Sequence, residues 1–280
     1  MEQKILVAES STAGAQSVDR ALGLLSRIAR QTGGSSLADL TEHCGLNKPT
    51  ARRLLLALIN AGMVEQSPAN HYYHLGPEAY LLGHRASEQH NLMRLATCNV
   101  ARLAQLTEDA ACLSIRRGHF SLCLYREDGA YPIRTHALQQ GAYHPLGVGA
   151  GSLAMLAALP DDEIAHILEA QRTHLEEHYP QLIPTHLSAL VNQTREQGFA
   201  INPGLVFTDS WGIGIALHWP DGVLAGSLSL AAIESRMQEP RRSQTLVPKL
   251  QEEALAIERL LAAEFSRHQK PSAPLARSKQ

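Results

Sequence analysis

Three cations, Lys48, Arg52 and Arg53, stand within the short run Asn47 to Arg53, together with the hydrogen-bonding side chains of Asn47 and Thr50. This set can neutralise phosphates and read base edges, since arginine and lysine pair with guanine O6 and N7 and asparagine pairs with adenine. On a helix turning about 100° per residue, Ala51, Leu54, Leu55 and Leu58 share one face. Pro49, Arg53 and Leu56 point away from it, with Thr50 and Arg52 on the flanks. A helix that buries the first face and offers the second suits a major groove, with its N-terminal residues at the bases. The bland alternative is a solvated amphipathic helix with ordinary surface arginines, and the flanking elements decide between the two.

Those elements fall in a definite order. Ser17 to Arg30 reads as a helix with Val18, Leu22, Leu25, Ile28 and Ala29 on one stripe, stopped by Gly33-Gly34. Ser36 caps a short helix, Leu37 to Cys44, with Asp39 in its first turn, and Gly45 ends it. The helix from Lys48 to Asn60 follows, capped by Asn47 and closed by Gly62. Two β segments, Met63 to Gln66 and His71 to Leu75, are joined by the turn Ser67-Pro-Ala-Asn70. This is the order of a winged helix-turn-helix, in which the wing tip, with Asn70 and His71, reaches the adjacent backbone or minor groove of double-stranded DNA.

A second chemistry lies downstream. Trp211 to His218 and Val223 to Ala232 read as a hairpin through Trp219-Pro-Asp-Gly222. Pairing Trp219 with Gly222 sets Gly214 against Ser227 and Gly212 against Ser229. Alternation then gathers these four with Ala216 and Ala225 on one face, while Trp211, Ile213, Ile215, Leu228 and Leu230 share the other. A floor of small residues with two hydroxyls must be covered by a helix or a ligand. The glycine-rich run Gly147-Val-Gly-Ala-Gly-Ser152 enters a helix whose free amides suit a carboxylate. The candidate ligand residues are therefore Gly149, Ala150, Gly151, Ser152, Ile213, Gly214, Ser227 and Ser229, with His144 as a wall, and the candidate ligand is a small carboxylic acid. Close packing of a helix on the small face is the competing reading.

Other chemistries find little support. The run Gly147-x-Gly149-x-Gly151 lacks dinucleotide-loop spacing, and there is neither a GxSxG elbow nor a Walker A lysine. The pairs His71/His74 and His174/His178 have no nearby third metal ligand, so no metal or other cofactor is expected. The four cysteines show no CxxC and read as free thiols of a reducing compartment. Aromatics are 5%, too few for a single-strand stacking platform. The longest apolar candidate, Leu153 to Pro160, is far too short to span a bilayer, and residues 1–13 do not form a secretory signal. The expected location is the cytoplasm.

The 280 residues, 44% hydrophobic and 19% charged, imply about two globular domains. The expected divisions are a flexible leader (1–16), the winged helix-turn-helix (17–76), a linker helix (77–91), a ligand domain mixing strands and helices (92–266) and a disordered tail (267–280). Strands are expected at Ala111 to Arg116, Phe120 to Tyr125 and Ile133 to Leu138, and a last helix from Arg242 to Phe265. The formal charge of −2 conceals segregation: residues 16–62 carry six basic and three acidic side chains, residues 86–266 carry 13 and 20.

The chain resembles the IclR family of bacterial transcriptional regulators. The resemblance is carried by Asp19-Arg-Ala-Leu22, Leu37-Ala-Asp-Leu40, Gly45-Leu-Asn-Lys-Pro-Thr-Ala-Arg-Arg-Leu-Leu55 and Tyr73-His-Leu-Gly76. It continues through Leu103-Ala-Gln-Leu-Thr107, His144-Pro145, Gly198-Phe-Ala200 and Ser227-Leu-Ser-Leu230. It implies an α+β chain: an N-terminal winged helix-turn-helix, a linker helix and a C-terminal GAF-like effector-binding domain, acting as a homodimer or tetramer on an operator. In one respect the chain departs from many relatives: Asn202 stands where some members carry an acid of the effector pocket. The expected function is a ligand-responsive regulator, repressor or activator, of small-acid catabolism. The alternative is an enzyme that turns over the acid in its second domain.

Overall fold

The computed structural model describes residues 15–31, 33–89, 91–135, 138–237 and 242–269. The expected leader and tail lie outside the described residues except at their inner ends, where Gln16 and residues 267–269 are helical. The chain divides into two compact units between positions 90 and 91.

In the first unit, helices α1 (Gln16–Ala29), α2 (Leu37–Cys44) and α3 (Lys48–Asn60) precede the strands β1 (Val64–Gln66) and β2 (Tyr73–Leu75) and helix α4 (Pro77–Gln89). Local chemistry starts α2: the Asp39 amide donates to the Ser36 hydroxyl at 3.1 Å while the Ser36 amide donates to the Asp39 carboxylate at 3.1 Å. Hydrogen bonds from the Ser36 hydroxyl and then its amide hold the Asp39 carboxyl below its usual range. Gly45 ends α2 in the left-handed region (φ 61°), which favours glycine. Leu24, Ile28, Leu40, Leu54, Leu55, Val64 and Tyr73 form the core. Backbone bonds between Ser35 and Tyr73 (3.0 and 2.9 Å) tie the wing to the connection between α1 and α2.

The expected stripe of α1 is corrected. Ala21, Leu24, Leu25 and Ile28 face the core, whereas Val18 and Leu22 are more than half exposed and Ala29 is exposed. At 100° per residue the apolar side chains of this helix span a single arc of about 160°, so the expected stripe and the buried one overlap at Leu25 and Ile28, and tertiary packing selects which edge of the arc is buried.

In the second unit, α5 (Asn91–Thr107) leads into β3 (Ala110–Arg117), β4 (Phe120–Glu127) and β5 (Tyr143–Pro145). Helices α6 (Ala150–Ala157), α7 (Asp161–His178) and α8 (Pro184–Gln197) follow. The chain then forms β6 (Ala200–Pro203), β7 (Ser210–His218), β8 (Leu224–Ile233), α9 (Glu234–Met237) and α10 (Arg242–Gln269). The sheet has the order β5-β4-β3-β8-β7-β6, with every neighbouring pair antiparallel. Helices α5 and α10 cover one face through Val100, Leu103, Leu250 and Ile257 against Leu113, Ile213 and Leu228. Helices α6, α7 and α8 supply the core of the other face, around Met155, Ile167 and Leu187. The buried Glu253 carboxylate joins α10 to α5, accepting from Asn99 Nδ2 at 2.8 Å and twice from the Arg102 guanidinium at 2.6 Å. Among the described residues no helix is long and apolar enough to cross a membrane.

The expected strand Ile133 to Leu138 is a second correction. Its described residues form no strand, and β5 pairs with β4 instead. The Arg126 guanidinium donates to the Thr135 carbonyl at 2.9 Å and the Leu138 carbonyl at 2.6 Å, using acceptors that a ladder would need. Strand β6 gave little signal in advance, being four residues long and ending in Pro203 at the sheet edge.

Two outcomes are expected in urea unfolding of the full chain. Glu253→Ala strands the buried Asn99 amide and costs about 1–3 kcal/mol. Gly214→Ala drives a Cβ to 2.7 Å from the α6 backbone and costs about 1–3 kcal/mol through overpacking. Wild-type stability in either variant contradicts the packing described.

Candidate functional site

In the first unit the candidate residues cluster at the start of α3. The Asn47 side-chain oxygen accepts from the Thr50 amide at 2.9 Å, capping the helix, and Pro49 sits in the first turn, where its missing N–H is harmless. Asn47 thus spends its carbonyl on the cap and keeps its NH₂ donors. Lys48, Pro49, Arg52 and Arg53 are exposed, Thr50 is half-buried, and none of the three cations has an acidic partner among the described residues. The same surface carries Leu56, 60% exposed, an apolar group suited to a thymine methyl. Beneath them, Ala51, Leu54 and Leu55 are buried, so the helix is fixed by its core face and presents its cationic one.

The wing is held by its own turn. Asn70 Oδ1 accepts from the Tyr72 amide at 3.0 Å, and His71 adopts φ 60° with its amide donating to the Ser67 carbonyl at 2.9 Å. The Asn70 carbonyl therefore shapes the tip, while the His71 side chain is exposed at it.

In the second unit a cavity of about 60 Å³ opens between the start of α6 and the sheet. His144, Gly149, Ala150, Gly151, Ser152, Asn202 and Ser229 line it. Three further candidates do not. Ile213 is fully buried in the core on the opposite face. Gly214 lies directly under α6, where a Cβ would meet the Ala150 carbonyl and Gly151 amide at 2.7 Å. Ser227 is sealed beneath Gly151, its hydroxyl 2.9 Å from where a Gly151 Cβ would stand. These three positions lie outside the cavity lining, Ile213 in the opposite core and Gly214 and Ser227 against α6.

The hairpin register also differs from the expected pairing. The Trp219 amide donates to the Val223 carbonyl at 2.8 Å, so the loop is longer than a pairing of Trp219 with Gly222 allows. Gly214 consequently stands opposite Ser229, Gly212 opposite Ala231 and Ala216 opposite Ser227. A two-residue shift preserves the faces of these residues. The irregularity after Leu217 turns Ala225 to the opposite core.

Lining side chains are partly committed. The Ser152 hydroxyl accepts from the Gly147 amide at 3.0 Å and donates to the Pro145 carbonyl at 3.1 Å, bracing the glycine-rich turn. Asn202 Oδ1 accepts from the Leu205 amide at 2.8 Å, leaving its NH₂ as a donor. Gly149, at φ 88°, caps α6 without a side chain, so the first amides of the helix lack a side-chain acceptor. No arginine, lysine, aspartate or glutamate lines the cavity among the described residues. Cys112, Ser114 and Ser121 line it too. They escaped the sequence reading because they belong to β3 and β4, and the pairings of Cys112 with Ser229 and of Ser114 with Ser227 are long-range.

Comparison with known proteins gives two family matches in chain order. Residues 17–68 match the model of the IclR helix-turn-helix domain, and residues 84–259 match that of the bacterial transcriptional regulator IclR C-terminal domain. The transcriptional repressor IclR of Escherichia coli is 25% identical over 194 residues, 69% of this chain and 70% of that protein. An IclR transcriptional regulator from Alicyclobacillus acidocaldarius shares the fold with a TM-score of 0.73 at 21% identity, over 90% of this chain and 100% of that one. So does an IclR homologue from Microbacterium hydrocarbonoxydans in complex with 4-hydroxybenzoate, with a TM-score of 0.73 at 20% identity over 88% and 98%. These relatives are regulators and regulator homologues, which leaves the enzyme alternative without support. With both family models matched in chain order around a capped, cation-bearing α3, the chain belongs to the IclR family of bacterial transcriptional regulators.

Proposed function

We propose that this regulator is a cytoplasmic repressor that binds a specific operator in double-stranded DNA and responds to a short-chain carboxylic acid whose catabolism it controls. The observation that carries the DNA half is the exposed face of α3, where Lys48, Arg52 and Arg53 stand without acidic partners above a buried apolar face. Arginine at guanine, asparagine amide at adenine and Leu56 at a thymine methyl form one reading surface. Repression follows the printed function of the E. coli relative.

The acid reading rests on the donor character of the cavity. Helix amides at Ala150 and Gly151, the Ser229 hydroxyl and the Asn202 NH₂ converge where no carboxylate would repel an anion. An aspartate at position 202 would oppose such a ligand, and asparagine does not. The space corresponds to roughly four to six water-sized volumes, which fits a short-chain acid better than the 4-hydroxybenzoate held by the Microbacterium homologue.

Operators of this kind are read by paired modules. A homodimer, or a tetramer built from it, is supported by the exposed Val18 and Leu22 on α1 and Tyr80, Leu81 and Leu82 on α4. The acid then biases the spacing of two winged helices, and a coupling of about 1–3 kcal/mol changes operator affinity about 5- to 150-fold.

The first test is a gel shift on DNA upstream of the gene. Arg52→Ala and Arg53→Ala each weaken the specific complex by about 5- to 150-fold, from about 1–3 kcal/mol per base contact, with an unchanged circular dichroism melt. Unaltered binding in both variants removes the recognition-helix assignment. The second is calorimetry against a panel of short-chain carboxylic acids. Ser229→Ala weakens the acid that binds, while Ser227→Ala, a change beneath the helix, does not; the reverse pattern refutes the placement of the ligand.

A further inference from the structure

Cys112 on β3 and Cys123 on β4 are both 1% exposed and free. The strands pair Cys112 with Arg126 and Ser114 with Cys123, and the irregularity between Leu113 and Ser114 leaves Leu124 as an extra residue. Both thiols therefore lie on the sheet face that carries the cavity, close enough for each to perturb the other. Cys112 lines the cavity itself. Cys123 Sγ also lies 3.6 Å from the Tyr125 carbonyl, an acceptor for its one proton.

Buried cysteines are ordinarily inert small hydrophobes. This pair differs in three ways. Each thiol has the other as its neighbour, the Arg126 guanidinium acts on both, and the cavity gives a small molecule a path to Cys112. The Cys123 S–H, donating to the Cys112 sulfur, and then Arg126 favour the Cys112 thiolate against burial and the opposing charge of Asp128, while Cys123 is pushed up by the same contact. Position divides the roles: Cys112 lines the cavity and meets the oxidant first, and Cys123, outside the lining, is the resolving thiol.

We propose that Cys112 and Cys123 form an oxidation site that hydrogen peroxide, entering through the cavity, converts to an intramolecular disulfide. The Cys112 thiolate attacks one peroxide oxygen, the O–O bond breaks, and the departing hydroxide takes up a proton as water. This leaves a sulfenic acid on Cys112. The Cys123 sulfur then attacks the Cys112 sulfur. The S–O bond breaks, and the hydroxyl leaves with the Cys123 proton as a second water. Two thiols and one peroxide give one disulfide and two waters, with both sulfurs oxidised and the peroxide oxygens reduced. A small dithiol restores the pair by exchange.

The test exposes the full native chain to hydrogen peroxide, quenches it, alkylates under denaturing conditions and maps the peptides by mass spectrometry without reduction. The expected product joins the Cys112 and Cys123 peptides, lighter by two hydrogens than the reduced pair and reversed by dithiothreitol. In Cys123→Ser the resolving thiol is missing, and dimedone added to the native chain tags Cys112. Recovery of both residues as alkylatable thiols while the exposed Cys98 is oxidised overturns the proposal. So does a Cys112 that passes directly to sulfinate in the wild-type chain. The wild-type mapping reads the result even if the variant fails to fold, and it does not depend on the acid or on DNA binding.

Discussion

The first turn of α6 lies so close to the sheet that side chains are excluded on both sides of the contact. A Cβ on Gly214 would stand 2.7 Å from the Ala150 and Gly151 backbone, and one on Gly151 would stand 2.9 Å from the Ser227 hydroxyl and 3.0 Å from that of Ser229. This approach sets the character of the whole face. It seals Ser227, leaves Ser229 at the cavity edge and brings the uncapped amides of α6 to the same space. Helices α7 and α8, with Met155, Leu156, Ile167 and Leu187 between them, press α6 into that position. The Ser152 hydroxyl, bridging the Gly147 amide and the Pro145 carbonyl, fixes the turn that delivers it.

Electrostatics divide the labour between the units. The overall charge of −2 averages a reading module with six basic and three acidic residues over 16–62 and an effector module with 13 and 20 over 86–266. A modest positive excess gives modest non-specific affinity, so selectivity falls to base contacts. On charge alone the acidic unit is the less suited of the two to a phosphate backbone.

The helices and caps of the first unit were legible because each is written locally. Ser36 with Asp39, Gly45, and Asn47 ahead of Lys48-Pro49 specify ends within a few residues of themselves. The buried face of α3 was read from Ala51, Leu54, Leu55 and Leu58 with the cations set opposite, whereas on α1 the expected stripe lay on one edge of the apolar arc and packing buries the other. The cavity was half legible. Alternation placed Ser229 and Gly214 on one face correctly, yet alternation is blind to a two-residue slip, and only the hydrogen bonds of the Trp219 to Val223 loop set the register. Which small residues line a space and which admit a helix is decided by α6, a segment more than fifty residues from β7 in sequence. Cys112, Ser114 and Ser121 stayed hidden for the same reason: the first two are placed by pairing of β3 with β8, and Ser121 by pairing of β4 with β3 and β5, not by their neighbours in sequence.

A cavity walled by neutral donors has consequences for signalling. A fixed cation would hold an anion in any arrangement of its walls, and a ligand bound equally well in two states shifts neither. Here the donors come from separate elements: amides from α6, a hydroxyl from β8, an amide side chain from β6 and the imidazole of β5. Each contributes little alone, and their sum depends on the spacing between helix and sheet. Binding is then strongest in the one spacing at which all of them reach the ligand. For the acid proposed above, that dependence on geometry is the means of selecting a conformation, and the glycines at 151 and 214 are what allow the helix to come close to the sheet.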